Sequence, residues 1–257
     1  MRRFVDLSLE LDDLPSERLP VTVERFDHRA GAKQMSQVFG VPVEALPGGL
    51  GWAGERVNLG THSGTHMDAP FHYGPLSGGE RANFIGEVPL EWCCGPGVVL
   101  DFSQRRDGEG IGGGDLEAAL ALLGHRLNRG EIVLLRTGAD AAWGLENYPE
   151  KGCGLTRAGL LWLLAHGVRV VGTDAWSLDR PFSAMRSDYQ RTGNAAEVWP
   201  AHFAGREMPY CQLEKLTGLD RLPPVGFTVF CFPVKVARSS AGWVRAVALL
   251  EDGGDRV

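Results

Sequence analysis

Cysteine is scarce in this chain of 257 residues, and no two of its five cysteines are spaced as a C-x-x-C pair. The five are Cys93, Cys94, Cys153, Cys211 and Cys231. Their odd number speaks against a disulfide framework, and the missing C-x-x-C pair speaks against a zinc ribbon. Because a protein without disulfides needs no oxidising compartment, we expect this one to be cytoplasmic.

Long hydrophobic runs are also missing. No stretch of the sequence approaches the ~20 consecutive apolar residues that a transmembrane helix needs. Residues 4–8 read FVDLS, so the chain starts without the apolar segment that a signal peptide requires. We therefore expect no membrane partner and no secretion.

The chain has no excess of basic residues. Its 26 lysines and arginines are outnumbered by 32 aspartates and glutamates, which gives a formal net charge of −6. Binding to nucleic-acid phosphates normally requires a clustered basic patch, and the arginines of this chain are scattered among acidic residues. We therefore expect a small-molecule substrate and no nucleic-acid partner.

The pattern of apolar residues predicts an α/β fold. Apolar residues make up 44% of the chain, and no repeat or long linker divides it, so we expect one domain over residues 1–257 with a frayed tail at 251–257. Up to about residue 60, prolines and glycines interrupt the chain, and we expect only strands and loops there. The predicted strands are residues 4–9 (an edge strand), 98–100, 132–135, 168–171, 227–230 and 244–250, and the predicted helices are residues 115–123 and 157–166.

Three of the seven histidines lie close together in the run THSGTHMDAPFH, where His62, His66 and His72 surround Asp68. Imidazole and carboxylate groups are the usual ligands of zinc, manganese and iron. In an extended segment His66 and Asp68 point to the same side, and a turn at Gly64 would let His62 reach the same ion. The run therefore predicts a metal site.

Three protein ligands leave positions open for water and substrate, which is typical of a catalytic metal site. A bound metal lowers the pKa of water from about 15.7 to about 7, so that hydroxide can attack a carbonyl group at neutral pH. The fourth group of the run, His72, is our candidate for the acid/base that moves the proton.

The motif His62-x-Gly64-Thr65-His66-x-Asp68-x-Pro70-x-His72 resembles the signature of the metal-dependent cyclase-type hydrolases, which include bacterial kynurenine formamidases and isatin hydrolases. Members of that family carry a further histidine and glutamate twelve residues apart, and His202 and Glu214 have this separation. Residues 174–179 and 210–216 look more like the isatin hydrolase branch.

The resemblance implies a mixed β-sheet or barrel-like core flanked by helices, the kynurenine formamidase-like swivelling β/β/α fold. It implies that His62, His66 and Asp68 hold one zinc or manganese ion. Asp68, His202 and Glu214 would hold a second ion where there is one. Family members look like homodimers or homotetramers, so we expect a homo-oligomer.

The activity that this resemblance implies is that of a metal-dependent amidohydrolase. It would cleave a C–N amide bond in a cyclic amide or an N-acyl aromatic compound, isatin-like or N-formylkynurenine-like. We predict that Trp52 and Trp176 contact the substrate, and Trp199 is a further candidate for an aromatic wall. Relative to kynurenine formamidases, the chain is longer at about residues 26–54 and 183–200, and we expect these insertions to cap or reshape the pocket.

Three other interpretations use the same histidines. A ring-closing cyclase of polyketide or other secondary metabolism would keep the metal but let a substrate carbon attack in place of water. An iron oxygenase would use His66 and Asp68 in a facial triad, which leaves His62 and His72 without a role. A module that only binds metal would have a coordinatively closed site.

Overall fold

The computed structural model describes residues 2–251, so residues 252–257 of the tail that we predict to fray lie outside the described residues. Its strands are β1 (Arg2–Asp6), β2 (Thr22–Phe26), β3 (Gly54–Asn58), β4 (His66–Asp68), β5 (Leu76–Ser77), β6 (Glu80–Arg81), β7 (Cys94–Asp101), β8 (Gly110–Ile111), β9 (Ile132–Arg136), β10 (Gly154–Leu155), β11 (Val170–Thr173), β12 (Cys211–Glu214), β13 (Phe227–Phe230), β14 (Ala241–Trp243) and β15 (Val247–Glu251). Its helices are α1 (His28–Phe39), α2 (Pro70–Tyr73), α3 (Gly113–Leu123), α4 (Arg157–Ala165), α5 (Phe182–Thr192) and α6 (Pro200–Ala204). No helix within residues 2–251 combines the length and the apolar character needed to cross a bilayer.

Nine strands form one mixed sheet in the order β1-β15-β13-β7-β9-β11-β12-β4-β14. The central strands β7, β9, β11 and β12 are parallel, and their outer neighbours pair antiparallel. Val5 lies on β1 at one edge of the sheet, and Met67 lies on β4 near the other edge. Both join Leu134 of the central strand β9 in one hydrophobic cluster, so the sheet curls around this core. The other face packs against α3 and α4 through Leu116 and Leu160. The prediction of an α/β fold with a mixed, barrel-like sheet flanked by helices is confirmed.

Helix α4 shows how the local sequence sets an element. The side chain of Thr156 accepts a hydrogen bond from the backbone N–H of Gly159 (3.1 Å) and caps the first turn. Gly167, with φ of +89°, follows the last turn in the left-handed region that favours glycine. The predicted helix is therefore confirmed, and β11 follows it two residues later than predicted.

The prediction of only strands and loops before residue 60 is wrong, because α1 occupies His28–Phe39. The side chain of Asp27 caps its first turn, and Gly40 ends it with φ of +65°. Gly31 and Ala32 are the buried residues of α1. Its apolar residues Ala32, Met35 and Phe39 do follow helical spacing, but the prolines and glycines along this third of the chain outweighed that pattern in the prediction. Of the predicted strand 244–250, only the part from Val247 is strand, in β15, and β14 ends just before it at Trp243.

Strand β4 carries the centre of the histidine run. It lies between β12 and β14, and it is antiparallel to both. The register places His66 opposite Glu214 and Asp68 opposite Gln212. Chain segments almost 150 residues apart thus meet at one point of the sheet.

Candidate metal centre

At the centre of the histidine run the backbone is extended, as predicted, and this places His66 and Asp68 on the same side of β4. Gly64 has φ of +61°, and a Cβ at this position would lie 2.4 Å from the side chain of Leu11. The turn at Gly64 brings His62 back toward Asp68. His72 lies on α2, a single helical turn that begins at Pro70.

Asp68 is the centre of the cluster. Its Oδ1 atom lies 2.8 Å from Nδ1 of His62 and 3.2 Å from Nε2 of His66. Its Oδ2 atom lies 3.7 Å from Nε2 of His72 and 3.7 Å from Nε2 of His202. Nε2 of His66 is also 3.6 Å from Oε2 of Glu214. All six residues that the sequence singled out as ligands or acid/base therefore meet around one carboxylate.

Two buried atoms of this cluster, Nε2 of His66 and Oδ1 of Asp68, form no hydrogen bond of good geometry among the described residues, although Nδ1 of His62 lies 2.8 Å from that oxygen. Nδ1 of His66 lies 2.8 Å from the carbonyl oxygen of Gly64, which can only accept, so Nδ1 carries the proton and Nε2 presents a lone pair. Two unpartnered lone pairs 3.2 Å apart are unfavourable alone and are well placed to share one cation. The residues present therefore fit a divalent metal ion.

The possible ligand atoms fall into two groups whose members all lie within 4.8 Å of one another. One group is His62, Asp68 and His72, and the other is His66, Asp68 and Glu214. Asp68 belongs to both, as the resemblance implies for two ions. The division differs from the predicted one, since it separates His62 from His66 and places His72 among the ligands.

The pKa values of the two central carboxyl groups, Asp68 and Glu214, are shifted in opposite directions. Burial raises the pKa of Asp68, but the imidazoles of His66 and His72 outweigh burial and hold that pKa well below its usual range. Burial and the charge of Asp68 raise the pKa of Glu214 above its ordinary value. The histidines thus compensate one negative charge better than two, which is a further reason why a cation fits here.

His202 is oriented by Asp179, a residue that the sequence did not single out. The Asp179 carboxylate accepts hydrogen bonds from the backbone N–H groups of Ala201 (2.8 Å) and His202 (3.1 Å), and it lies 2.5 Å from Nδ1 of His202. The protonated Nδ1 therefore faces Asp179, and Nε2 faces the cluster. Asp179 follows the end of β11, where polar site residues collect in α/β proteins, and this position was the available signal.

Gln212 is a second residue that the sequence did not reveal. Its side-chain Nε2 lies 2.9 Å from Oδ2 of Asp68, 2.9 Å from Oε1 of Glu214 and 2.6 Å from Nε2 of His202. The hydroxyl of Tyr210 donates to its Oε1 atom (2.7 Å). Gln212 and Glu214 are two residues apart on β12, so the alternation of a strand places both on the face of the cluster.

A buried ion pair holds the His62 segment in place. The ammonium group of Lys215 lies 2.7 Å from Oε2 of Glu17, and it donates to the carbonyl oxygen of His62 (3.0 Å). Glu17 also accepts from the backbone N–H of Gly64 (2.8 Å). The amino-terminal segment is thereby fixed against the turn that positions His62.

A cavity of about 250 Å³ opens beside the cluster. Its lining consists of Leu19, His62, His72, Trp176, Ser177, Phe182, Trp199, His202, Glu214 and Lys215. Trp176 and Trp199 therefore both lie on the wall of this cavity, and Trp199 belongs to the segment 183–200 that we expect to be an insertion. Trp52 is not brought to this cavity, because it lies near α1, where its indole N–H donates to Gln34 (2.8 Å).

His72 borders the cavity with 22% of its side chain exposed. Burial lowers its pKa to about 4 against the attraction of Asp68, and any positive charge on the neighbouring His202 or His62 acts in the same direction as burial. Within residues 2–251, Oδ2 of Asp68 lies 3.7 Å from Nε2 of His72, which is too far for a hydrogen bond. His72 is thus a neutral imidazole that can accept a proton.

Comparison with known proteins extends these observations. The family model described as "Putative cyclase" matches residues 5–180. An isatin hydrolase crystallised with the product analogue thioisatinate is 23% identical; the match covers 98% of this chain and 93% of that one, with a TM-score of 0.75. Isatin hydrolase A from Ralstonia solanacearum is 25% identical over 97% of this chain and 92% of that one, with a TM-score of 0.76. A structure described as a novel cyclase is 17% identical over 97% and 88% of the two chains, with a TM-score of 0.75.

Proposed function

The chain belongs to the cyclase family, as its histidine motif predicted, and we propose that it is a metal-dependent hydrolase of C–N amide bonds. The observation that carries the proposal is the pair of buried, unpartnered atoms on His66 and Asp68 beside an aromatic-walled cavity. The substrate we propose is a cyclic amide or an N-acyl aromatic compound. The similarity in fold to isatin hydrolases supports this substrate class.

We propose that zinc or manganese is held by the cluster around Asp68, as one ion or two. Its ligands would come from His62, His66, Asp68, His202 and Glu214. When bound, such an ion acts as a Lewis acid, which polarises a carbonyl group and lowers the pKa of a water molecule. The remaining chemistry is proton transfer and positioning, which side chains of this protein supply.

His72 is the proposed proton carrier. Its imidazole is neutral because burial lowers its pKa to about 4, and its Nε2 atom lies 3.7 Å from Oδ2 of Asp68. Nε2 takes a proton from the attacking water as the new C–O bond forms, and the Asp68 carboxylate stabilises the resulting imidazolium. The same proton then passes to the amide nitrogen as the C–N bond breaks.

Besides proton transfer, the reaction needs a substrate held flat and away from bulk water. The aromatic side chains of the cavity, Trp176, Phe182 and Trp199, provide such a position. The ring of Trp176 makes an edge contact with Phe182, with centroids 5.3 Å apart. Trp199 stands on the side of His72 and His202. An aromatic amide that enters between these rings would displace water from the scissile bond.

Metal analysis and kinetics test the proposal together. Protein purified without chelator should contain zinc or manganese and should hydrolyse isatin or N-formylkynurenine, and His66→Ala should remove both the metal and the activity. His166→Ala, a histidine outside the cluster, is the matched control and should change neither. Full activity in metal-free protein would refute the proposal, and oxygen from labelled water in the product separates hydrolysis from ring closure.

We also propose that the protein is a homo-oligomer, at least a dimer, and that residues 22–58, called the arm here, form part of the interface. Across the arm, the buried residues are Gly31 and Ala32. Meanwhile Val38 is 67% exposed, Phe39 60% and Trp52 43%. A two-stranded antiparallel sheet and one helix with this little core are marginal alone, so a partner surface is expected to cover them.

A further inference from the structure

A second cavity lies behind the substrate cavity and shares a wall with it. This second cavity has a volume of about 410 Å³, and apolar side chains make up most of its lining. Its lining consists of Phe182, Met185, Arg186, Tyr189, Val198, Trp199 and Phe203. Among these residues, Phe182 and Trp199 also line the cavity beside the metal cluster. The two spaces are therefore separated by two aromatic side chains.

Trp199 is held in a conformation that a bulky residue rarely adopts. Its φ of 55° and ψ of 44° lie in the left-handed region, and the following residue is Pro200, which further restricts the backbone before it. Such a conformation persists only where the surroundings impose it. Here the backbone N–H of Trp199 contacts Sδ of Met185 (3.2 Å), and Asp179 fixes the start of α6 through the N–H of Ala201 (2.8 Å).

The strained backbone directs the indole between the two cavities. The ring stacks on His202 with centroids 4.1 Å apart and planes at 15°. It also makes edge contacts with His72 (5.1 Å, 82°) and Phe203 (5.5 Å, 83°). One face of Trp199 thus belongs to the active site, and the ring limits how far a substrate can extend past the imidazoles.

We propose that Trp199 is a specificity-determining residue that restricts the enzyme to compact substrates by closing the apolar cavity. This inference rests on the proposed amide hydrolysis. The cavity beside the cluster, about 250 Å³, falls below the roughly 300–1,000 Å³ of sites that hold drug-sized ligands. It accommodates a small aromatic amide, whereas the space for a longer hydrocarbon substituent lies behind Trp199.

Two substrate series test the inference in the metal-loaded enzyme. One series lengthens the acyl group from formanilide through acetanilide to hexananilide, and the other lengthens the ring side from formanilide to 4-butylformanilide. For the wild type, kcat/KM should fall as either side grows. In Trp199→Ala, the ratio of kcat/KM for long over short substrates should rise at least about tenfold in one of the series, because methylene groups gain an apolar pocket.

Two further variants distinguish removal of the wall formed by Trp199 and Phe182 from a general loss of activity. Phe182→Ala opens the same wall from the other side and should raise the same ratio. Tyr189→Ala alters only the second cavity and should leave the ratio unchanged. The test compares the ratio of kcat/KM for long over short substrates. A substitution that displaces His202 would lower the rate for all substrates alike, and this ratio would not change.

An unchanged ratio in both Trp199→Ala and Phe182→Ala would overturn the inference. If the wild type hydrolyses none of the anilides, the proposed function fails for this class, and calorimetric binding of the same compounds then tests the wall. Affinity for hexananilide over formanilide should rise in both variants, and equal ratios in wild type and variants would refute the role of Trp199.

Discussion

Substitution of His72 by alanine separates its two possible roles, proton carrier and metal ligand. If His72 moves the proton, His72→Ala should lower kcat by about 10²–10⁴-fold, the usual contribution of a general acid or base. The metal content should stay that of the wild type. In His66→Ala, which removes an unpartnered buried lone pair from the centre of the cluster, the metal itself should be lost.

The position of His72 at the cavity favours the first role; its distance from Oδ2 of Asp68 does not decide between the roles, because Nε2 of the proposed ligand His202 lies equally far from that oxygen (3.7 Å). Nδ1 of His62 and Nε2 of His66 approach Oδ1 of Asp68 to 2.8 and 3.2 Å, whereas Nε2 of His72 stays 3.7 Å from the other oxygen. Oδ2 already accepts a hydrogen bond from Gln212 (2.9 Å). His72 also lies on a one-turn helix at the cavity, so it contacts the cluster more loosely than the residues of β4 do.

The assay combines elemental analysis of the purified variants with kcat on isatin or N-formylkynurenine. The pKa of about 4 adds a second measurement, since His72 should stay neutral from pH 8 down to pH 5. A bound cation would only lower this pKa further, so the sign holds in the metal-loaded enzyme. The ring signal of His72 in an NMR titration should therefore not shift across that range.

Two results would refute this reasoning. Loss of the metal from His72→Ala, to the degree seen in His66→Ala, would make His72 a ligand, in agreement with its place in the group with His62 and Asp68. A titration of His72 near pH 6.5 would show that the ring is solvated and that its neutral state is not imposed by burial.

The other predictions concern positioning, stability and assembly. Asp179→Asn should weaken metal binding about 10–100-fold, because His202 loses the carboxylate that orients it; a metal titration with unchanged affinity would contradict this. Lys215→Met should lower the free energy of unfolding by about 3–5 kcal/mol, because it leaves the Glu17 carboxylate buried without a counter-charge. The double variant Lys215→Met, Glu17→Gln should recover part of that loss in urea denaturation, and additive losses would argue against the pair. Phe39→Asp should shift the protein from dimer toward monomer in light scattering after size exclusion, and a monomeric wild type would refute the proposed interface.

The local part of the site follows from the sequence. The histidine run predicts an extended backbone, the turn at Gly64 and the shared side of His66 and Asp68, because these depend on residues close in the chain. His202 and Glu214 came only from the resemblance to a family. No local pattern marks them, since the register of β12 against β4, which sets Glu214 opposite His66, is a property of the assembled sheet.

The residues that the sequence did not reveal share one feature. Asp179, Gln212 and Lys215 act through partners that are distant in the chain, such as Glu17, which lies 198 residues before Lys215. From the sequence alone, a carboxylate, amide or ammonium group cannot be predicted to be buried until its hydrogen-bond or ion-pair partner is known. Helix α1 was missed for a different reason, because the prolines and glycines along the first 60 residues indicated loops although Ala32, Met35 and Phe39 follow helical spacing.

The balance of protons and lone pairs explains why this cluster suits a metal ion better than a network of hydrogen bonds. Nε2 of Gln212 has two hydrogens but three acceptors around it, on Asp68, Glu214 and His202. Burial lowers the pKa of His202, but the hydrogen bond to Asp179 and the nearby Asp68 carboxylate outweigh burial and raise it to about 10, which would place a second proton on Nε2. That N–H would face the amide nitrogen of Gln212 at 2.6 Å, where two donors repel. The geometry therefore favours an unprotonated Nε2. A divalent cation would compensate the negative charges of Asp68 and Glu214. It would also accept the lone pairs that the available hydrogens leave unpartnered, so one ion meets both needs.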